Sequence, residues 1–245
     1  MRKFGLIGYP LSHSFSKSFF QKKFSDEGLE DADYDLFPFQ DLSLLESWLT
    51  DNTNLRGFNV TIPHKINIIS FLDYLDDTAA AIGAVNCVDI RYTEKGRQLY
   101  GYNTDAIGFK RSLLPLLKKH HQHALVLGSG GASKAVIQVL KELGINYQIV
   151  SRGDKGLNYE DIDEQVLKKH QLIINTTPLG MFPNIEDAPK LPYQWINSSH
   201  YVYDLVYNPQ ETLLLKKAKT NGATIKNGLE MLMLQAEASW EIWNK

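Results

Sequence analysis

The sequence predicts an α/β protein of two domains, and three observations lead there. Short apolar runs alternate with longer segments whose apolar residues recur every three or four positions, the pattern of strands covered by amphipathic helices. One run, Ala124 to Leu127, feeds a glycine cluster (Gly128, Gly130, Gly131) that opens a helical pattern. The chain of 245 residues is long enough to bury two modest cores.

The elements follow in order. Phe4 to Gly8 reads as a strand, Phe15 to Glu27 as a helix, and Tyr34 to Phe37 as a strand. Leu42 to Leu49 forms the next helix, with Asp41 or Ser43 to cap it. Gly57 to Thr61 is a strand, and Pro63 opens a helix after it. Ala84 to Tyr92 and Gln98 to Tyr102 pair as a hairpin around Glu94-Lys95-Gly96. After the glycine cluster, Val136, Val139, Leu140 and Leu143 mark a helix that stops at Gly144, and Tyr147 to Val150 is the next strand. A helix near Asp161 to Lys169 leads to a strand, Leu172 to Asn175, and Tyr201 to Leu205 is a further strand. Gln210 to Thr220 is a helix and Ala223 to Ile225 a short strand. The last helix starts near Leu229, with Leu232, Ala236 and Trp240 on one stripe. Such alternation implies mostly parallel sheets. The expected domains are 1–103, joined by the final helix 227–245, and 104–226. A central cleft between them, outside the carboxyl ends of the strands, is the expected site.

Composition narrows the function classes. A formal net charge of −2 gives no reason to expect nucleic acid or an anionic membrane as partner. A single cysteine, Cys87, excludes an intrachain disulfide framework and fits a reducing cytosol. The apolar stretch from Phe4 to Gly8 is too short for a membrane span or a signal core, so the expected location is cytoplasmic. His120, His121 and His123 sit between a helix and a strand without a Cys or carboxylate at ligand spacing, so they read as a solvated loop and no metal is expected.

The strand–glycine–helix–strand unit has the construction of a dinucleotide site. Glycines let backbone N–H groups approach a pyrophosphate, and the helix start adds partial positive charge. Ser133 stands where a third glycine or alanine is usual. At the end of the second strand, an NAD site places a carboxylate for the ribose 2′-hydroxyl. Here Ser151 and Arg152 occupy that position, Lys155 follows, and no carboxylate occurs before Asp154. A guanidinium suits a 2′-phosphate through paired hydrogen bonds, so the cofactor reads as NADP(H).

Four clusters in the first half are rich in polar residues at element ends. Gly8-Tyr9-Pro10-Leu11-Ser12-His13-Ser14-Phe15-Ser16 places hydroxyls around a helix start, where N-capping is the plain account. Asn59-Val60-Thr61-Ile62-Pro63-His64-Lys65 ends a strand, and Lys65 would ordinarily be a surface lysine. Gly83-Ala84-Val85-Asn86 puts an amide on an apolar strand, and Asn103-Thr104-Asp105 places Asp105 at a strand-to-helix junction. Together they suit a polyhydroxy carboxylate. In this order, and with Gly228-Leu229-Glu230-Met231-Leu232-Met233-Leu234-Gln235-Ala236 at the end, the chain resembles the shikimate dehydrogenase family over essentially its whole length.

The resemblance implies an N-terminal substrate domain, a Rossmann-like NADP domain, and reversible NADPH-dependent reduction of 3-dehydroshikimate to shikimate in aromatic amino acid and chorismate biosynthesis. It implies Lys65 and Asp105 as the catalytic pair. Ser12 and Ser14 would hold the substrate carboxylate, Thr61, Asn86 and Gln235 its ring hydroxyls, with Tyr207 near the carboxylate. Gly128, Ser129, Gly130, Gly131 and Ala132, with Ser151, Arg152 and Lys155, would carry NADP, and Thr176, Met181 and Gly228 would lie by the nicotinamide half. The family commonly has Asn-Arg-Thr and a second Arg at the cofactor phosphate. Ser151-Arg152-Gly153 and Gly156 stand there in this chain, implying a weaker NADP preference. The other readings are a quinate/shikimate dehydrogenase preferring NAD and a non-catalytic NADP-binding module. The partner would be a small-molecule substrate, with the chain a monomer or homodimer.

Overall fold

Strand β1 (Arg2–Gly8) buries its last five residues because it lies inside a sheet, with neighbours on both sides. In the computed structural model, which describes every residue except Ser12, His13, Lys95, Asp154 and Lys155, that sheet has the order β2-β1-β3-β5-β6-β4. β1 pairs in parallel with β2 (Ala32–Pro38) and β3 (Leu55–Val60). β4 (Tyr74–Leu75) runs parallel to β6 (Gly96–Tyr102), whereas β5 (Cys87–Thr93) is antiparallel to both β3 and β6. The first sheet is therefore mixed, because the hairpin lays a reversed strand beside β3. Helices α1 (Phe15–Asp26), α2 (Leu45–Asp51), α3 (Asp77–Ile82) and α4 (Thr104–Leu113) accompany it.

The helix expected to open at Pro63 does not form. His64 N closes a turn on Thr61 O at 2.9 Å, and a 3₁₀ turn runs over Asn67–Phe71. Lys65 O accepts from Val85 N at 2.8 Å, which takes the carbonyl a helix would need for its own ladder. α2 likewise starts late, since Asp41 Oδ1 accepts from Ser43 N at 2.8 Å in a turn of its own and caps no helix.

The second sheet, β11-β10-β9-β7-β8, is wholly parallel. β7 (His123–Leu127) lies between β8 (Asn146–Val150) and β9 (Leu172–Asn175), and β10 (Tyr201–Asp204) and β11 (Thr224–Lys226) extend it. Helices α5 (Gly131–Glu142), α6 (Glu164–Lys169) and α7 (Leu213–Thr220) belong to it, and α8 (Leu229–Trp243) closes the chain. The two compact units are residues 1–107 with 235–245, and residues 108–234. Among the described residues, no helix is long and apolar enough to cross a membrane.

The end of α8 completes the first core. Trp243 stacks on Phe4 with centroids 4.9 Å apart, donates from Nε1 to Val88 O at 3.0 Å, and lies over Gly57, where a Cβ would overlap the indole. Deleting an indole so placed costs about 3–5 kcal/mol.

In the 108–234 unit, His121 is buried and not solvated as the sequence suggested, because its ring is held between backbone groups. His121 and His200 each spend one ring nitrogen as acceptor, from Lys118 N at 2.9 Å and Asn197 N at 3.1 Å. Burial lowers the pKa of His121, His170 and His200. The unfolded chain therefore binds protons that the folded unit refuses, and stability is lost as pH falls below the unfolded value near 6.5. The Asp204 carboxyl, raised by burial to about 6, acts the other way, adding stability as pH falls through that value, but it is one group against three. Thermal melts should show a lower Tm at about pH 5.5 than at about pH 7.5. A flat or rising Tm toward acid would contradict these buried neutral rings.

Candidate active site

The first unit gathers its polar residues at the carboxyl ends of β1 and β3. Thr61 N bonds Ile7 O at 2.9 Å and Tyr9 N bonds Ile62 O at 3.0 Å, so the two strand ends leave the sheet together. Val60 N bonds Asn86 O at 2.9 Å, and Val85 N bonds Lys65 O, which brings residues 85–86 alongside. Lys65 Nζ then donates to Asp105 Oδ2 at 2.6 Å, with side chains 31% and 26% exposed. Asp105 is free to do so because Asn103 caps α4, its Oδ1 accepting from Ala106 N at 3.1 Å. Part-exposed pairs of this kind add only about 0–1 kcal/mol to stability.

Asn86 is buried, and its Oδ1 accepts from Thr104 N at 2.6 Å and Thr104 Oγ1 at 3.2 Å. The amide is thereby oriented, and among the described residues its Nδ2 has no partner and remains a donor to offer a ligand. Thr104 Oγ1 also reaches Gln235 Oε1 at 3.4 Å and Ser239 Oγ at 3.2 Å. Ser239 Oγ accepts from Asn59 Nδ2 at 2.9 Å, and Asn59 Oδ1 accepts from the Tyr34 hydroxyl at 2.9 Å. Sequence reasoning missed Thr104 and Ser239. The one signal was Thr104's place inside a polar triplet at a helix start. Ser14 caps α1, its Oγ accepting from Ser16 N at 3.3 Å, and Ser12 lies outside the described residues.

In the second unit Gly128 ends β7 with φ of 103°, a conformation that favours glycine. A Cβ there would lie 2.8 Å from Thr176 Oγ1 and 2.9 Å from Thr177 Cγ2. Thr176 holds that close approach by bonding Leu127 O through N (2.9 Å) and Oγ1 (2.8 Å). Helix α5 begins one residue after its cap, Gly130, which has no side chain to satisfy the first-turn N–H groups. A Cβ on Gly130 or Gly131 would meet nothing within 4 Å, and Ser129 to Ala132 are exposed. Ser133, in place of the third glycine, turns its hydroxyl back onto Gly130 O at 2.6 Å. Among the described residues the turn therefore offers unpaired donors and open room, which fits a pyrophosphate.

At the end of β8, Ser151 N bonds Leu157 O at 3.0 Å, and the exposed Arg152 makes no ion pair among the described residues. Gly156 has φ of 113°, and a Cβ would overlap the Ile149 carbonyl oxygen, so this backbone excludes an arginine there. Lys155 lies outside the described residues. Met181 and Tyr207 are exposed, and Gly228 packs on the Leu205 carbonyl while its N–H bonds Val206 O at 3.2 Å. The structure thus brings Gly128 to Ala132 together with Thr176, and Lys65 with Asp105, Asn86 and Gln235.

Fold and site define the class, a dinucleotide-dependent oxidoreductase built from two α/β units. The family model for the shikimate dehydrogenase substrate binding domain matches residues 6–88, and a shikimate dehydrogenase (NADP(+)) of Methanosphaera stadtmanae is 38% identical over 261 residues, 98% of this chain and 90% of that protein. The chain belongs to the shikimate dehydrogenase family. The crystal structure of shikimate dehydrogenase from Aquifex aeolicus matches with a TM-score of 0.84 at 37% identity, covering 100% of this chain and 92% of that one. Shikimate 5-dehydrogenase from Listeria monocytogenes, in complex with shikimate and NAD, matches with a TM-score of 0.88 at 28% identity, again covering 100% and 92%.

Proposed function

We propose that this chain catalyses the reversible NADPH-dependent reduction of 3-dehydroshikimate to shikimate, a step toward the aromatic amino acids. The observation that carries this reading is the 2.6 Å contact between Lys65 Nζ and Asp105 Oδ2 at the polar end of the first sheet. Bound NADPH supplies the hydride. Lys65 gives a proton to the reduced oxygen in that direction and takes it back in the other, held in place by Asp105. Asn86 donates from Nδ2 to a ring hydroxyl, with Thr61 and Gln235 as further hydroxyl partners, and Ser12 and Ser14 hold the carboxylate with Tyr207. Gly128 to Ala132 receive the pyrophosphate, Thr176, Met181 and Gly228 lie by the nicotinamide half, and Arg152, with Ser151 and Lys155, meets the 2′-phosphate. The partners are small molecules, and a lone buried cysteine with NADPH chemistry fits a cytoplasmic enzyme.

The test is absorbance of the reduced nicotinamide with purified protein, shikimate and NADP⁺. A rise that depends on shikimate is expected, and its absence would end the reading. Arg152→Ala should raise KM for NADP⁺ by about tenfold while leaving KM for NAD⁺ nearly unchanged. Equal effects on the two cofactors would remove Arg152 from 2′-phosphate recognition.

A further inference from the structure

Two loops of the 108–234 unit carry Thr176, Met181 and Tyr207, and one buried carboxylate ties both to the sheet. Asp204, the last residue of β10, is fully buried, as are Asn175 at the end of β9 and Thr212. Asp204 Oδ1 accepts from Asn175 Nδ2 at 2.9 Å and from Val206 N at 3.0 Å, and its Oδ2 accepts from Thr212 Oγ1 at 2.7 Å. Asn175 is the register partner of Asp204, and its Oδ1 accepts from Thr177 N at 3.1 Å and Thr177 Oγ1 at 2.6 Å.

The bonds therefore run from the loop after β9, through two paired strand ends, to both ends of the loop after β10. Neither strand pairing nor core packing requires a charge at this place, and burying one is costly. Burial pushes the carboxyl up to about 6, while the bonds from Thr212, Val206 and Asn175 pull it down.

We propose that Asp204 is a positioning residue, which fastens both loops to the strand ends and so holds Thr176, Met181 and Tyr207 in place for the nicotinamide half and the substrate. It touches neither ligand. The inference rests on the dinucleotide reading of the glycine turn given above.

Asp204→Asn keeps the shape but removes the charge and replaces one acceptor oxygen by a donor. At the Oδ1 position it sets donor against donor at Asn175 and Val206, and at the Oδ2 position it makes the Thr212 hydroxyl give up donating and accept instead. The double variant Asn175→Asp with Asp204→Asn reverses the pair and restores a donor–acceptor contact between the strands. The readouts are dissociation constants for NADPH and for adenosine 2′,5′-bisphosphate, with kcat and KM. Asp204→Asn should weaken NADPH by about tenfold and leave the bisphosphate unchanged, because that fragment needs only the glycine turn and Arg152. The double variant should recover part of the loss. If Asp204→Asn fails to fold, Thr177→Val, which removes one hydroxyl outside the core, should weaken NADPH alone by about threefold. A variant with a lowered Tm but normal NADPH binding, or with both ligands weakened equally, would overturn the proposal. Wild-type protein that binds neither ligand would overturn the dinucleotide reading and this inference with it.

Discussion

Lys65→Ala is expected to lower kcat by about 10²-fold or more while KM for shikimate changes little, the pattern for loss of a proton-transfer group. The geometry supports a clean experiment. The Lys65 ammonium touches Asp105 at 2.6 Å but is a third exposed, so its deletion removes about 1 kcal/mol of stability at most. Its backbone carbonyl, which holds Val85, remains in the variant. Melting temperature should thus stay close to wild type while turnover collapses. A Lys65→Ala enzyme with near-normal kcat would take Lys65 out of the chemistry and leave Asp105 without its assigned partner.

Gly128→Val should abolish measurable NADPH binding, a loss beyond about 10²-fold. A β-branched residue at φ of 103° carries backbone strain of about 1–3 kcal/mol before any contact is counted. Its Cβ then meets Thr176 Oγ1 and Thr177 Cγ2, and relief requires moving Thr176 off Leu127 O. The glycine turn and the loop carrying Thr176 would be displaced together, and Tm should fall as well. Gly131→Ala is the control. Its Cβ enters open space at a helix start, so Tm should hold while NADPH binding weakens. Unchanged NADPH binding in both variants, by fluorescence titration, would refute the placement of the pyrophosphate.

Local signals made part of this architecture legible. The β7–Gly128–α5–β8 unit stood out because a buried parallel strand is an apolar run and the turn after it needs glycine. In the first sheet the β5–β6 hairpin was legible, but the strand it joins was not, since the antiparallel pairing of β5 with β3 links distant stretches of chain. α3 and the two-residue β4 escaped because neither is long enough to show a period. The helix predicted from Pro63 failed on a single distant bond, from Val85 N to Lys65 O. Thr104 and Ser239 were missed for the same reason. Their partners, Asn86, Asn59 and Gln235, come from separate stretches of chain, and composition alone marks a buried hydroxyl as an ordinary helix residue.

Trp243 has a consequence for how the polypeptide matures. The ring that seals Phe4, Phe20 and Gly57 comes after the whole of residues 108–234 in chain order. The first core can therefore close only once residues 235–245 have been made, and it waits without its aromatic plug for a segment added after every strand of the second sheet. The half bearing Lys65 is begun first and finished last. In the interval its Phe-rich floor is the surface a chaperone would shield.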